Sequence, residues 1–267
     1  MASSKVGSFQ VLEVRNLKCE MNYIPRADGS CFFSNGDSAA VASVNGPVEG
    51  KPPKFIEDRA FIDVALHPII GTTTIKERII EATLRKTCEH VINLNFYPRN
   101  IVYINVQQIQ DDGGLIAACI NSVCLALLHS GVRMNYLFAA VNIMINREGD
   151  FVIDPKKRLI DCDSVALMTF VFDSVDFNMI TSVTKGVFSD EEYFTAVIKC
   201  KEVSISTLQT GQGSVFWGTA EEVELQCDFG LEVNISGTRI LETEGEARLR
   251  QGDGATAFIL GGGSGLE

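Results

Sequence analysis

Three aspartates past the middle of the chain are the first candidates for chemistry. Asp161 and Asp163 stand two residues apart. In an extended segment their side chains project from one face, roughly 7 Å apart, close enough to share a divalent cation. Asp154 lies nearby and would complete a metal set; the plainer alternative is a solvated acidic strand end. A second acidic pair, Asp111-Asp112, precedes Gly113-Gly114 and a long apolar run. It could attract a cation, yet acids at the start of a helix favour the helix dipole with no ligand at all, and capping is the plainer explanation. Arg78, Arg85 and Lys86 share the polar side of one periodic segment, and Arg99 stands at the strand that follows. Such cations can meet phosphates, or simply solvate a helix face. Lys156-Lys157-Arg158 is a further basic cluster, read as a loop. His67, His90 and His129 share no spacing and have no Ser or Cys partner pattern, which argues against a hydrolytic triad. The eight cysteines include no CxxC pair, so zinc knuckles and redox dithiols are excluded and small buried thiols are expected.

The elements that must position these residues can be read from periodicity. Short β-prone runs separated by turn signals fill Gln10 to Val44, and Gly46 to Lys54, with three prolines, reads as a loop. Ala60 to His67 alternates as a strand. From Ile75 to Ile92 the apolar residues Ile75, Ile79, Ile80, Leu84, Cys88, Val91 and Ile92 follow a 3.6-residue period, predicting an amphipathic helix. Ile101 to Ile109 is a strand, and Leu115 to Ser130 is a helix apolar nearly all round, hence central, with Gly131 as its stop. Strands follow at Phe138 to Ile145, Phe151 to Ile153, Val165 to Phe172 and about Asn178 to Ser182. Ser189, with Glu192 three residues on, opens a last helix running to about Leu208. Strands, helix, strand, helix, strands, helix describe an α+β domain over residues 1–209.

Residues 210–267 differ in composition. They hold ten acids against three bases and 12 of the 23 glycines, so much of the net charge of −11 belongs to this extension. A β-like pattern covers Val223 to Ile235. The acidic balance argues against a solitary nucleic-acid binder with a broad positive surface. Hydrophobic residues make up 46% of the 267, enough for a sizeable core and too many for disorder. The run Leu115 to Leu128 is shorter than the roughly 20 residues a bilayer span needs, so no membrane partner is expected. The opening MASSKVGS carries no apolar segment behind a charged one, predicting a reducing compartment.

Several segments together resemble the RNase PH family: Arg26-Ala27-Asp28-Gly29-Ser30, Asn35-Gly36-Asp37-Ser38, Asn45-Gly46-Pro47-Val48-Glu49, Tyr97-Pro98-Arg99, Gln110-Asp111-Asp112-Gly113-Gly114, Asp154-Pro155 and Thr184-Lys185-Gly186. Their order and spacing are similar from about residue 10 to residue 208. The resemblance implies the RNase PH fold, of the ribosomal protein S5 domain 2-like kind, with mixed sheets packed with helices. Active members of that family hold inorganic phosphate at the start of the central helix, with backbone N–H groups and a Gly-Gly-Thr-Arg-Thr sequence. Here Gly113 and Gly114 are followed by Leu115, Ile116 and Ala117. A second phosphate-contacting arginine of the family falls near Thr72, and of two aspartates six residues apart the first matches Asp163 while the second falls on or next to Thr169, within Leu167-Met168-Thr169-Phe170. The loss of one such charge-stabilising contact typically costs about 10² to 10³ in rate. The resemblance therefore implies a non-catalytic ring subunit of the eukaryotic RNA exosome, without cofactor, supporting 3′-to-5′ RNA processing and degradation. Other RNase PH-like subunits in a six-membered ring, cap subunits, RNA and an associated hydrolytic nuclease would be its partners, in nucleus, nucleolus and cytoplasm. In such a ring Arg78, Arg85, Lys86 and Arg99 would touch passing RNA. The alternative is a homodimeric nuclease acting on RNA or DNA, phosphorolytic or metal-dependent, with Asp154, Asp161 and Asp163 as its metal ligands.

Overall fold

The computed structural model describes residues 15–50, 56–218, 239–243, 246–250 and 256–259. Strands β1 (Leu17–Met21), β2 (Gly29–Asn35) and β3 (Ser38–Glu49) form an antiparallel meander. Strand β4 (Phe61–His67), helix α1 (Ile75–Val91) and strand β5 (Asn100–Gln110) make a parallel crossover, because two parallel strands need a connection long enough to return the chain. The resulting sheet has the order β1-β2-β3-β5-β4. Helix α2 (Leu115–Ser130) has the expected bounds, and Gly131 stops it in the left-handed conformation.

A second, antiparallel sheet follows, ordered β7-β6-β8-β9, from β6 (Phe138–Asn146), β7 (Phe151–Ile153), β8 (Ser164–Asp173) and β9 (Met179–Gly186). Helix α3 (Lys157–Asp163) lies between β7 and β8, and α4 (Asp190–Gly218) ends the unit. Helix α2 packs on β2, β3 and β5 of the first sheet and on β6 of the second. Strand β6 is buried on both faces as a result. Phe138 and Ala140 join the core around α1 and α2, while Val141, Ile143 and Ile145 join a second core against α4. Asn121 of α2 fixes the helix to β6: its amide donates to the Ala140 carbonyl at 3.1 Å and accepts the Ala140 N–H at 2.7 Å. Each polar atom of that buried junction is thereby satisfied.

The α+β layout is as the periodicity implied, with specific departures. Strand β3 continues through the expected loop to Glu49, kinked by a bulge between Asn45 and Val48. The 157–163 segment, read as a loop and an extended strand end, is helical. Helix α4 runs past Leu208 to Gly218. In α1 the apolar period holds for Leu84, Cys88 and Val91, which are buried, but Ile75 and Ile79 are exposed. The capping box at Ser189 forms, the Glu192 N–H donating to Ser189 Oγ at 3.3 Å and the Ser189 N–H to Glu192 Oε2 at 2.7 Å.

The chain divides into two compact units, residues 1–221 and 222–267. In the second, β10 (Arg239–Thr243), β11 (Glu246–Arg250) and β12 (Thr256–Ile259) form an antiparallel sheet. The β-like pattern expected at Val223 to Ile235 lies outside the described residues. Among the described residues no helix is long and apolar enough to cross a membrane.

Candidate functional site at the start of the central helix

The turn from β5 into α2 brings together residues far apart in sequence. Gly113 has φ of 97°, a conformation that glycine adopts without strain. A Cβ there would stand 2.6 Å from Ile160 Cδ1, 2.8 Å from the Pro155 carbonyl and 2.9 Å from the Lys157 nitrogen. The segment from Pro155 into α3 is therefore seated directly on the turn. Ser38 at the start of β3 accepts the N–H groups of Asp112 (3.0 Å) and Gly114 (3.3 Å) on its Oγ.

Arg15, just before β1, closes over this turn. Its Nη1 donates to Asp112 Oδ2 at 3.1 Å, Nη2 to the carbonyls of Asp112 (3.2 Å) and Asp154 (3.1 Å), and Nε to the Asp154 carbonyl at 3.1 Å. Nε also lies 3.3 Å from Asp154 Oδ2, and the Asp154 side chain is only 5% exposed. Burial raises the Asp154 carboxyl above its ordinary value, and the Arg15 guanidinium pulls it partly back. At the rim Lys157 Nζ meets Asp111 Oδ2 at 2.9 Å. Every nitrogen of Arg15 is thus engaged by the protein itself. The turn carries three carboxyl groups against two cations, a local balance that repels an incoming anion and offsets the attraction of the free N–H groups at the helix start. Leu115 and Ile116 are half-buried and pack against the first core, giving the helix start no charge of its own.

The metal reading does not survive the geometry. Asp161 and Asp163 both lie in α3, where residues two apart face opposite sides, so the one-face argument for an extended strand fails. Asp161 is exposed, Asp163 half-buried, and Asp154 sits beneath Arg15. Among the described residues no group of three His, Cys, Asp or Glu side chains could hold a metal ion. Thr169, in β8, is buried and donates to Asn142 Oδ1 at 2.6 Å, a structural bond.

Of the four basic candidates, Arg78 and Arg85 come together. With Thr73, Glu81 and Ala82 they line a groove of about 320 Å³ along α1. Arg85 leans toward Asp63, Nη2 to Oδ1 3.8 Å, and over the Phe61 ring. Lys86 and Arg99 are exposed and do not line that groove, Arg99 standing at the entry to β5 with a positive φ.

Residues 13–133, which include Arg15 and the Asp111–Gly114 turn, match the model of the RNase PH 3′ exoribonuclease family, domain 1. The rice protein named exosome complex exonuclease RRP46 homolog is 26% identical over 216 residues, covering 74% of this chain and 89% of that one. The fission yeast exosome complex component rrp46 is 28% identical over 187 residues, 68% and 83% of the two chains. The crystal structure of rice Rrp46 superposes with a TM-score of 0.72 at 27% identity, over 76% of this chain and 96% of that one.

The chain is similar to the RNase PH family. Its resemblance runs to the RRP46-like subunits, and the two sheets enclosing α2 are the RNase PH fold that the motif order implied. Ser38 and Gly113 belong to motifs on which that likeness rested. Arg15 and Asn142 were not legible in advance: Arg15 lies 97 residues from Asp112 and 139 from Asp154, and no local pattern surrounds either residue.

Proposed function

We propose that this chain is a ring-forming subunit of an RNA exosome, supporting 3′-to-5′ RNA processing and degradation without carrying out phosphorolysis itself. The observation that supports it is the state of the α2 start, where Arg15 is bound to Asp112 and Asp154 and aliphatic side chains follow Gly114. An attacking phosphate there would need to break these internal bonds and would find no unengaged guanidinium among the described residues at the turn. The RNase PH-like domain spans residues 1–209, and residues 210–267 are an acidic, Gly-rich extension. Its partners are other RNase PH-like subunits in a six-membered ring, cap subunits and an associated hydrolytic nuclease. RNA passes Arg78 and Arg85 in their groove, with Lys86 and Arg99 nearby on the path. The protein works in nucleus, nucleolus and cytoplasm. Affinity purification of the tagged full chain from cells, followed by native mass spectrometry, tests this reading: stoichiometric recovery of RNase PH-like and cap subunits is expected, and recovery of the chain alone contradicts it.

A further inference from the structure

At the opposite end of α2 from the site above, two connecting segments are joined. Gly131 stops the helix, and the 16 residues of α2 put its end about 24 Å from the Asp111–Gly114 turn. The chain leaving α2 meets the chain leaving α1. Ile92 and Met134 form an antiparallel bridge, the Asn93 N–H donates to the Arg133 carbonyl at 3.1 Å, and the Asn135 N–H donates to the Val91 carbonyl at 2.8 Å. The Arg133 N–H in turn donates to Tyr97 Oη at 3.3 Å, so its backbone is held through both the N–H and the carbonyl.

A planar pair stands on this joint. Phe96, at the end of a single 3-10 turn (Leu94–Phe96), is 57% exposed. The Arg133 guanidinium carbon lies 4.6 Å from the centre of its ring, a cation–π contact, and Tyr97 meets the ring edge-on at 5.7 Å. Arg133 is itself exposed, and among the described residues no carboxylate stands within ion-pair distance of it. Neither the turn at the α2 start nor the Arg78–Arg85 groove uses these side chains. The charge around the pair is mixed: Arg59 and Arg99 are exposed on the adjoining segments, and so are Glu57, Asp58 and Glu89. No single-sign field draws a phosphate chain here. What the site offers is a guanidinium fixed over an aromatic ring, the kind of plane on which a nucleobase stacks. A protein partner buries an apolar core of several residues, whereas one ring under one guanidinium matches a single base.

We propose that Arg133 and Phe96 form a stacking platform for one base of single-stranded RNA, outside the groove on α1. The base covers the outer face of the Arg133 guanidinium with Phe96 beneath it, and the in-plane N–H groups donate to a neighbouring phosphate. The inference adds a contact to the RNA-handling role proposed above and rests on that role for its choice of ligand.

The test measures fluorescence anisotropy of a short labelled oligoadenylate with the purified full chain and with Phe96→Leu, Phe96→Trp and Arg133→Lys. Both positions are exposed, and an unchanged melting temperature verifies folding. Phe96→Leu keeps apolar volume without a ring, and Arg133→Lys keeps charge without a plane. Each should weaken binding about 5-fold or more, the effect of losing one stacked base, while Phe96→Trp binds at least as tightly as the wild type. The loss should persist at high salt, which screens charge and leaves stacking. Photo-crosslinking of iodouridine-substituted RNA to the wild type should place the adduct on residues 93–99 or 131–136. A wild type that does not bind, an Arg133→Lys or Phe96→Leu variant that binds as the wild type does, or adducts confined to α1 would each overturn the proposal. Failure of the ring assignment is read separately, from the subunits recovered from cells, which neither variant alters.

Discussion

Replacing Arg15 by methionine should destabilise the first unit in a manner that depends on pH. The guanidinium lies 11% exposed against an Asp154 side chain 5% exposed, so the substitution leaves a buried carboxyl without its cation and takes both Arg15 donors from the Asp154 carbonyl, while the Asp112 carbonyl keeps the Lys157 N–H at 3.1 Å. Breaking a buried pair by removing one partner costs about 3–5 kcal/mol, which for a unit of this size lowers Tm by roughly 6–20 °C. The sign of the pH dependence follows from Asp154. Its carboxyl is raised by burial, so the folded state holds the proton more tightly than the unfolded state, and stability falls as pH rises from the ordinary value of 3.8 through the raised one. Without Arg15 the opposing pull is gone and the window widens upward. The deficit of R15M should therefore be largest at neutral pH and shrink as pH falls toward 3.8. Urea unfolding at about pH 5 and about pH 8 measures it, and adding Asp154→Asn should recover part of the loss at the higher pH. A deficit below about 1 kcal/mol, the range of exposed pairs, or one equal at both pH values, would refute the reasoning.

Further outcomes follow from the same structure. Installing the family's phosphate sequence by Leu115→Thr, Ile116→Arg and Ala117→Thr should not create phosphorolysis, since Asp112 and Asp154 remain at the turn; nucleoside diphosphate release from RNA checks this. Asn121→Ala removes both bonds to Ala140 and should cost about 2–4 kcal/mol in denaturant unfolding, because a buried N–H and C=O lose their partners. Gly113→Ala places a Cβ against Pro155 and Lys157 at positive φ and should cost at least ~1–3 kcal/mol in the same assay. Burial pushes the thiols of Cys119 and Cys124 up to about 12 and raises Cys31, Cys88 and Cys200 as well. In thiol-reagent labelling of the native protein these five should stay silent, while exposed Cys162 reacts and its signal disappears in Cys162→Ser.

Much of the fold was legible because its central elements are strongly patterned. A run apolar but for Asn121 and Ser122 and bounded by glycines gave α2 to the residue, and period-two alternation gave β4. Helix α3 was missed because its seven residues are too few to show a period and Asp-Cys-Asp reads equally as an alternating strand end. The exposure of Ile75 and Ile79 was missed for another reason: the 3.6-residue period states which residues share a face, and only tertiary contact states whether anything covers it. At the site, the aliphatic residues that follow Gly114 in place of the family's Thr-Arg-Thr could be read from Leu115, Ile116 and Ala117. What occupies the turn instead could not, because the Arg15 bonds span 97 and 139 residues, a relation that only the folded topology creates.

The central claim is most directly tested by incubating the purified full chain with single-stranded RNA, inorganic phosphate and Mg²⁺ and measuring nucleoside diphosphates by chromatography. The account predicts none above a no-protein control. Phosphate-dependent release that disappears in Asp163→Asn would contradict it.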